Sequence, residues 1–286
     1  MNVLNGYCPF MDWVAYTIPE QTLSSEIINI AHPGDLVIRD LGYFVYEAFK
    51  ELHRLRIDFL SRLMPRVNLF DVQTLEKINL CQMLKNKSFL DKEVLCSTDK
   101  DLQVRLVAIK LSTEQANARR RKARKNRDKR SNYNKEYYDL LGYIIFITSV
   151  DKNIWDYKQV AQAYRVRWNI EILFKSWKSG FKIQNMLPDA RTKTHRIESI
   201  LYLFLIYITW FQMLVYMPFK WDKILKRKYL SLIKTVRYMV KNMMDYIKRP
   251  LDLSEKRKLA YYCCYESRCD RLNASQGIER FYNALT

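Results

Sequence analysis

The clearest hydrophobic pattern along the chain lies between residues 163 and 177. Apolar side chains recur there at intervals of three or four residues, the spacing that places side chains on one face of an α-helix. The members of the pattern are Ala163, Val166, Ile170, Leu173, Phe174 and Trp177. The sequence therefore predicts one continuous amphipathic helix, anchored by its apolar side against a core.

Before this helix, the pattern is that of a mixed α/β domain. Residues 44–54 have helical spacing, and five segments rich in β-branched or aromatic residues predict strands. The predicted strands span 36–38, 57–63, 89–96, 102–111 and 142–150. The fold class is therefore α/β, with a mixed sheet packed against helices.

A row of polar side chains follows one margin of the predicted helix. Tyr164, Arg167, Glu171 and Lys178 are offset by 3, 4 and 7 residues, which confines them to an arc of roughly 60° at 3.6 residues per turn. A carboxylate between cations suits a divalent metal that carries phosphate oxygens. An ordinary helix-face network, with Glu171 paired to Arg167 and Lys175, explains the same spacing, and the spacing alone favours it.

The order of these residues distinguishes the two interpretations. Tyr-x2-Arg-x3-Glu-x6-Lys resembles the signature that closes the catalytic region of bacterial DDE transposases of the insertion-sequence-four family, and it matches at every position. The resemblance implies that Glu171 is a metal ligand and that Arg167 and Lys178 hold phosphates near the cut. Tyr164 would hydrogen-bond to or stack on the terminal nucleotide, and Lys175 is a weaker candidate for a phosphate contact.

A second block, residues 33–44, resembles the family's segment around its second catalytic aspartate. Pro33 and Gly34 predict a turn before a short buried strand, and Asp40 follows that strand's carboxyl end. Active sites of open α/β sheets gather at such ends. A turn or helix-capping aspartate is the alternative, and it would be preferred if this block stood alone. Together with the Glu171 motif, the block predicts that Asp40 is catalytic.

The family resemblance implies a ribonuclease H-like sheet with three catalytic carboxylates, the first of them several tens of residues before the second. Only two aspartates precede Asp40, namely Asp12 and Asp35, and neither follows a predicted strand. We therefore expect the chain to begin inside the catalytic domain, with the amino-terminal part of the fold missing. The expected parts are a partial core over 1–69, a β-rich insertion over 70–150, and the remaining core with carboxyl-terminal helices over 151–286.

The composition favours a polyanionic partner. Lysine and arginine number 49 against 30 acidic residues, and the formal net charge is +19. The densest basic run is predicted as a loop over 119–130 and contains Arg119, Arg120, Arg121, Lys122, Arg124, Lys125, Arg127, Lys129 and Arg130. A solvated loop or a helix with repelling charges is the alternative to a DNA contact. On DNA the run would add affinity without sequence selectivity.

Other classes of protein fit the sequence less well. The six glycines are isolated and the six cysteines are scattered, which argues against nucleotide-binding loops and a disulfide framework and favours a reducing cytoplasm. An uncharged stretch over 199–219 is long enough to cross a bilayer. Polar residues such as Thr209 and Gln212 interrupt it, and the family resemblance implies a buried helix there. We therefore expect no membrane span.

The resemblance thus implies a transposase that cleaves and joins DNA with two Mg²⁺ or Mn²⁺ ions, held in the intact enzyme by Asp40, Glu171 and a third aspartate. Its expected partners are double-stranded DNA and, in the complex of paired ends, a second copy of the chain. Two alternatives remain open: a non-catalytic DNA-binding transposase remnant, and a membrane-associated basic protein, which leaves the motif around Glu171 unexplained.

Because the chain offers no third carboxylate in the expected setting, we predict that it does not cleave DNA by itself. A nicking assay with Mg²⁺ on DNA that carries the element's ends measures this directly. Sustained cleavage would show that Asp12, Asp35 or another group supplies the third ligand.

Overall fold

The computed structural model describes residues 18–64, 67–97, 99–126, 134–180 and 192–215, together with a few positions between 231 and 255. The chain forms two compact units that divide between Tyr164 and Arg165. The helix predicted over 199–219 is described as far as residue 215, and the last part of the basic run, 127–130, lies outside the described residues.

A single six-stranded sheet forms the centre of the first unit. Its strands are β1 Leu36–Arg39, β2 Asp58–Arg62, β3 Leu69–Asp71, β4 Phe89–Cys96, β5 Leu102–Lys110 and β6 Tyr143–Thr148. The order across the sheet is β1-β2-β6-β5-β4-β3. The β1–β2 pair is parallel, and the other four pairs are antiparallel.

The described residues also form seven α-helices, of which the last two lie in the second unit. They are α1 Tyr46–Arg54, α2 Leu80–Leu84, α3 Thr113–Lys125, α4 Lys135–Leu140, α5 Tyr157–Arg165, α6 Trp168–Gly180 and α7 Lys193–Val215. Two 3₁₀ helices, Glu20–Asn29 and Leu41–Tyr43, lie on either side of β1. The predicted mixed α/β class is confirmed.

Strand β2 joins the Asp40 strand to the rest of the sheet. Phe59 and Leu60 are fully buried, because α1 covers one face of the strand and the Phe59 ring lies 4.8 Å from Phe49. The Thr148 hydroxyl donates to the Phe59 carbonyl at 2.6 Å, and the Phe59 N–H donates to the Ser149 hydroxyl at 3.0 Å. Apolar burial and side-chain hydrogen bonds therefore fix the same strand in register.

The five predicted strands are confirmed, each within two residues of its predicted bounds; β3 was not predicted because it has only three residues. The strands predicted for the 70–150 insertion do not form a sheet of their own. Instead, β6 pairs with β2, from Leu60 opposite Thr148 to Arg62 opposite Phe146, so that β3 to β6 extend the sheet that contains Asp40's strand. The division of the chain into three parts stays a prediction.

The basic loop predicted over 119–130 is wrong for residues 119–125, because α3 continues through Lys125. Ser112 and Gln115 form a reciprocal capping box that satisfies the first backbone N–H groups of the helix. Arg119 and Arg120 then bond to backbone carbonyls outside the helix. Capping and these two anchors outweigh the repulsion between neighbouring cations.

A buried arginine holds the segment that leads to α5. Arg105 is 3% exposed, and its guanidinium forms a two-pronged ion pair with Asp91 at 2.8 and 2.7 Å. Its Nη1 also donates to the carbonyls of Val150 at 3.1 Å and Trp155 at 2.8 Å. One side chain on β5 therefore fixes the whole connection between β6 and α5.

The predicted helix in the 199–219 stretch is confirmed by α7 as far as residue 215. Leu203 is buried, whereas Ile197, Ile200, Leu201 and Phe204 are exposed. The family resemblance implied a buried helix, but the described part of α7 is not buried on all sides. No helix within the described residues combines the length and apolar character needed to span a bilayer.

We predict that Arg105→Ala lowers the free energy of unfolding by about 3 to 5 kcal/mol, because it leaves Asp91 and two inward carbonyls without their partner. Urea unfolding followed by circular dichroism measures the loss. The matched control is Arg54→Ala, which breaks an exposed pair with Glu51 and should leave stability nearly unchanged. Equal effects of the two substitutions would contradict the structural role assigned to Arg105.

Candidate catalytic site and nucleic-acid surface

Asp40 directly follows β1, at the strand end where the sequence places it. Its backbone is extended, its side chain is exposed, and its carboxylate accepts a hydrogen bond from the Leu41 N–H at 2.9 Å. Asp40 is also the N-cap of the 3₁₀ helix Leu41–Tyr43. The capping role and the strand-end position therefore coexist, and the cap holds the carboxylate at the edge of the sheet.

The residue before it, Arg39, is buried although it carries a charge. Its Nη2 donates to the Ser24 carbonyl at 2.6 Å, and its guanidinium lies 5.7 Å from the centre of the Tyr43 ring and 5.8 Å from that of Phe49. Burial lowers the pKa of Arg39 to about 10, so it remains charged at neutral pH. Arg39 thus ties the end of β1 to both neighbouring 3₁₀ helices through Ser24 and Tyr43.

The continuous helix predicted over residues 163–177 is wrong. A turn at Val166 and Arg167 interrupts the helical backbone hydrogen bonds. Tyr164 therefore lies in α5, whereas Glu171 and Lys178 lie in α6. Apolar spacing continues across the turn, since Val166, Leu173 and Trp177 are buried. Neither glycine nor proline marks the break, so the sequence carries no local signal for it.

Glu171 and Arg167 remain together despite this interruption. The Arg167 Nη2 lies 2.5 Å from the Glu171 carboxylate, with Arg167 17% and Glu171 40% exposed. This is the helix-face pair that the spacing alone favoured. It leaves the carboxylate accessible and orients it through a charge-assisted hydrogen bond.

The other members of the motif differ in accessibility. Tyr164 is 8% exposed, and its ring packs 5.1 Å from that of Phe146 on β6. Lys175 and Lys178 are exposed on α6, and within the described residues neither lysine pairs with Glu171. The lysines are available to an anion, whereas Tyr164 anchors the end of α5 in this structure.

The donor chemistry of the two acidic residues fits a divalent metal ion. Carboxylate oxygens are the ligands that Mg²⁺ and Mn²⁺ prefer, and Asp40 and Glu171 are both reachable from solvent. Asp40 belongs to the first compact unit and Glu171 to the second. In the described part of the chain, no three His, Cys, Asp or Glu side chains are grouped as a metal site, and the shared site stays a prediction.

Helix α3 sorts the predicted basic residues into two groups. Arg119 donates to the Tyr143 carbonyl at 2.6 Å and Arg120 to the Tyr138 carbonyl at 3.0 Å, so these two are half-buried anchors. The exposed members are Arg121, Lys122, Arg124 and Lys125. A cavity of about 650 Å³ between α3 and α4 is lined by Arg120, Arg121, Arg124 and Lys135, with Asp139 as its single carboxylate among the described residues.

Two residues near these sites were not predicted from the sequence. Arg39 ends a strand whose other three residues are apolar, and a charge at that position was the available signal. Trp168 is 56% exposed and adjoins Arg167 at the start of α6. An exposed aromatic residue beside a cation is a common feature of surfaces that bind nucleic acid.

The family model described as "Transposase DDE domain" matches residues 19–208. The chain is 29% identical over 216 residues to the transposase for insertion sequence element IS231D of Bacillus thuringiensis subsp. finitimus. It is 29% identical over 188 residues to the transposase for insertion sequence element IS1151 of Clostridium perfringens. The predicted resemblance to insertion-sequence DDE transposases is confirmed.

These similarities cover different shares of the proteins compared. The first alignment spans 68% of this chain and 45% of the IS231D protein, and the second spans 59% and 39%. The chain thus matches less than half the length of these curated relatives. No solved structure shows significant similarity to it.

Proposed function

This chain belongs to the transposase DDE domain family, and we propose from that premise that it is part of an enzyme that cleaves DNA at insertion-sequence ends and joins it to a target. The observation that carries the proposal is the extent of the family match. Residues 19–208 include the strand end of Asp40 and all of α6 with Glu171. Both candidate catalytic carboxylates are therefore inside the matched domain.

Asp40 and Glu171 are proposed as ligands of two Mg²⁺ or Mn²⁺ ions, together with a third aspartate in the intact enzyme. When bound, such ions supply an activated nucleophile and stabilise charge on phosphate oxygens during in-line attack. Asp40 is suited to this role because its cap hydrogen bond fixes one carboxylate oxygen. Glu171 is suited because Arg167 orients its carboxylate while leaving it accessible.

The cations of α6 are proposed to hold the DNA strand at the cut. Lys178 and, more weakly, Lys175 are exposed on the helix that bears Glu171 and can neutralise phosphates. Arg167 serves both the carboxylate and a phosphate. The predicted contact of Tyr164 with the terminal nucleotide requires movement of its buried ring, which packs against Phe146 in the conformation described here.

Double-stranded DNA is the proposed partner, and two copies of the intact protein would hold paired ends. The net charge of +19 and the exposed cations of α3 favour phosphate binding of low sequence selectivity. An enzyme acting on insertion sequences would work on bacterial DNA, and hence in the cytoplasm.

The catalytic proposal predicts separate effects of Glu171→Gln and Arg167→Ala. With this chain joined to the amino-terminal part of a curated relative, Glu171→Gln should abolish metal-dependent cleavage and spare DNA binding, because it removes a ligand charge but no phosphate contact. Arg167→Ala should weaken both cleavage and binding. Cleavage of end-labelled DNA and binding by fluorescence anisotropy provide the two measurements.

The control for this experiment is Glu198→Gln, a neutralised carboxylate outside the motif, which should retain cleavage. Cleavage that survives Glu171→Gln would contradict the catalytic role. Binding without cleavage by the unsubstituted fusion protein would favour a non-catalytic DNA-binding remnant.

For helix α3, we predict that Arg121→Ala combined with Lys122→Ala weakens DNA binding equally for all sequences. The slope of log Kd against log salt concentration should fall by about 2, because two phosphate contacts are lost. The matched control, Lys152→Ala with Lys158→Ala, removes the same charge from another exposed region. Equal changes in slope for both pairs would contradict a specific contribution of α3.

A further inference from the structure

A second cationic site adjoins the end of β1 within the first unit. A cavity of about 1020 Å³ opens beside Leu41, the residue after Asp40, and extends to the loop before α2 and to α4. Three cations line it, namely Arg62, Lys77 and Arg119. Glu136 is the single carboxylate among its described lining residues, so the cavity carries an excess of positive charge.

Arg62 is the least satisfied of these cations. It is the last residue of β2, and its Nε is buried and, within the described part of the chain, donates to no acceptor. Arg62 also forms no ion pair with a described carboxylate. Arg62 as a whole is half-buried and lines the cavity, so an anion bound there would give this N–H group the acceptor it lacks.

Arg119 faces the same cavity and is held rigidly. Its Nη1 donates to the Tyr143 carbonyl at 2.6 Å, which leaves the N–H groups of the other two guanidinium nitrogens for a different acceptor. Burial, and next the charge of Arg62, lower the pKa of Arg119. Two like charges are therefore kept close enough to repel each other, and an anion between them would relieve the repulsion.

The register of the parallel strands relates this cavity to Asp40. Arg39 is aligned with Ser61 on the neighbouring strand, so the next position along each strand aligns Asp40 with Arg62. Neighbouring strands lie about 4.8 Å apart. Asp40 and Arg62 therefore end adjacent strands at the same level, with a carboxylate on one strand and an unpaired cation on the other.

We propose that Arg62 and Arg119 form a phosphate-binding site of the DNA strand cut at Asp40. The inference rests on the proposed function and assigns a place to the backbone phosphate beside the scissile one. Arginine forks suit phosphate oxygens, and the cavity has ample room for one nucleotide. Lys77 adds charge at the rim, and the apolar walls around Leu63 and Ile78 shield the contact from water.

The test compares Arg62→Met with Arg54→Met in this chain. Both replace an arginine by an uncharged side chain with an unbranched stem, but Arg54 is exposed and already paired with Glu51. Binding to a short duplex is measured by fluorescence anisotropy at several salt concentrations. For Arg62→Met we expect about tenfold weaker binding and a salt slope lower by about 1, whereas Arg54→Met should bind like the unaltered chain.

A second measurement identifies the phosphate and separates DNA from free phosphate. Duplexes with one neutral methylphosphonate at successive positions near the end should show one position whose substitution weakens binding by the unaltered chain but not by Arg62→Met. Inorganic phosphate at millimolar concentration should not abolish this difference. A scan without any such position would overturn the proposal.

Thermal melting of the DNA-free chain shows whether Arg62 is structural. The melting temperature of Arg62→Met should equal or exceed that of the unaltered chain, because the substitution removes a buried N–H group that has no acceptor among the described residues. A lowered melting temperature, or binding equal to that of Arg54→Met, would overturn the inference while leaving the proposed function intact. Failure of the unaltered chain to bind any duplex would overturn both.

Discussion

The pairing of β2 with β1 on one side and β6 on the other is the constraint on which the candidate site depends. Phe59 and Leu60 bury β2 on both faces, and the Thr148 and Ser149 hydroxyls fix its register against β6. The parallel register with β1 then sets the level at which Asp40 leaves the sheet. Because a slip of one residue would turn every side chain to the opposite face, the position of this carboxylate follows from core packing several residues away.

Near that strand end, arginine side chains are wholly or partly buried, at some cost in stability. Arg39 is buried against the Tyr43 ring and donates to the Ser24 carbonyl, and Arg62 on β2 and Arg119 on α3 line one cavity. Cations of this kind are more expensive to bury than apolar side chains of equal size. Under the phosphate site proposed above, Arg62 and Arg119 would be a case in which local rules of stability are broken for function.

Much of the fold could be predicted from the sequence, because the strands have strong β propensity and clear bounds, and because Asp40 follows a recognisable turn and strand. The interruption at Val166 and Arg167 could not, since apolar spacing continues through it without glycine or proline. The sequence also could not separate the buried from the exposed members of the basic run. Only the structure shows that Arg119 donates to the carbonyl of residue 143 and Arg120 to that of residue 138. Pairing of β6 with β2 joins positions about 85 residues apart, beyond the reach of local patterns.

The central claim is that Asp40 and Glu171 bind metal at one shared site. Replacing Mg²⁺ with Fe²⁺ in the presence of ascorbate and peroxide generates hydroxyl radicals that cut the polypeptide next to the bound ion, and the cut positions can be read by mass spectrometry. We predict cuts beside both residue 40 and residue 171, with both lost in Asp40→Asn. Cuts beside only one of them, or cuts near residue 171 that persist in Asp40→Asn, would contradict the claim.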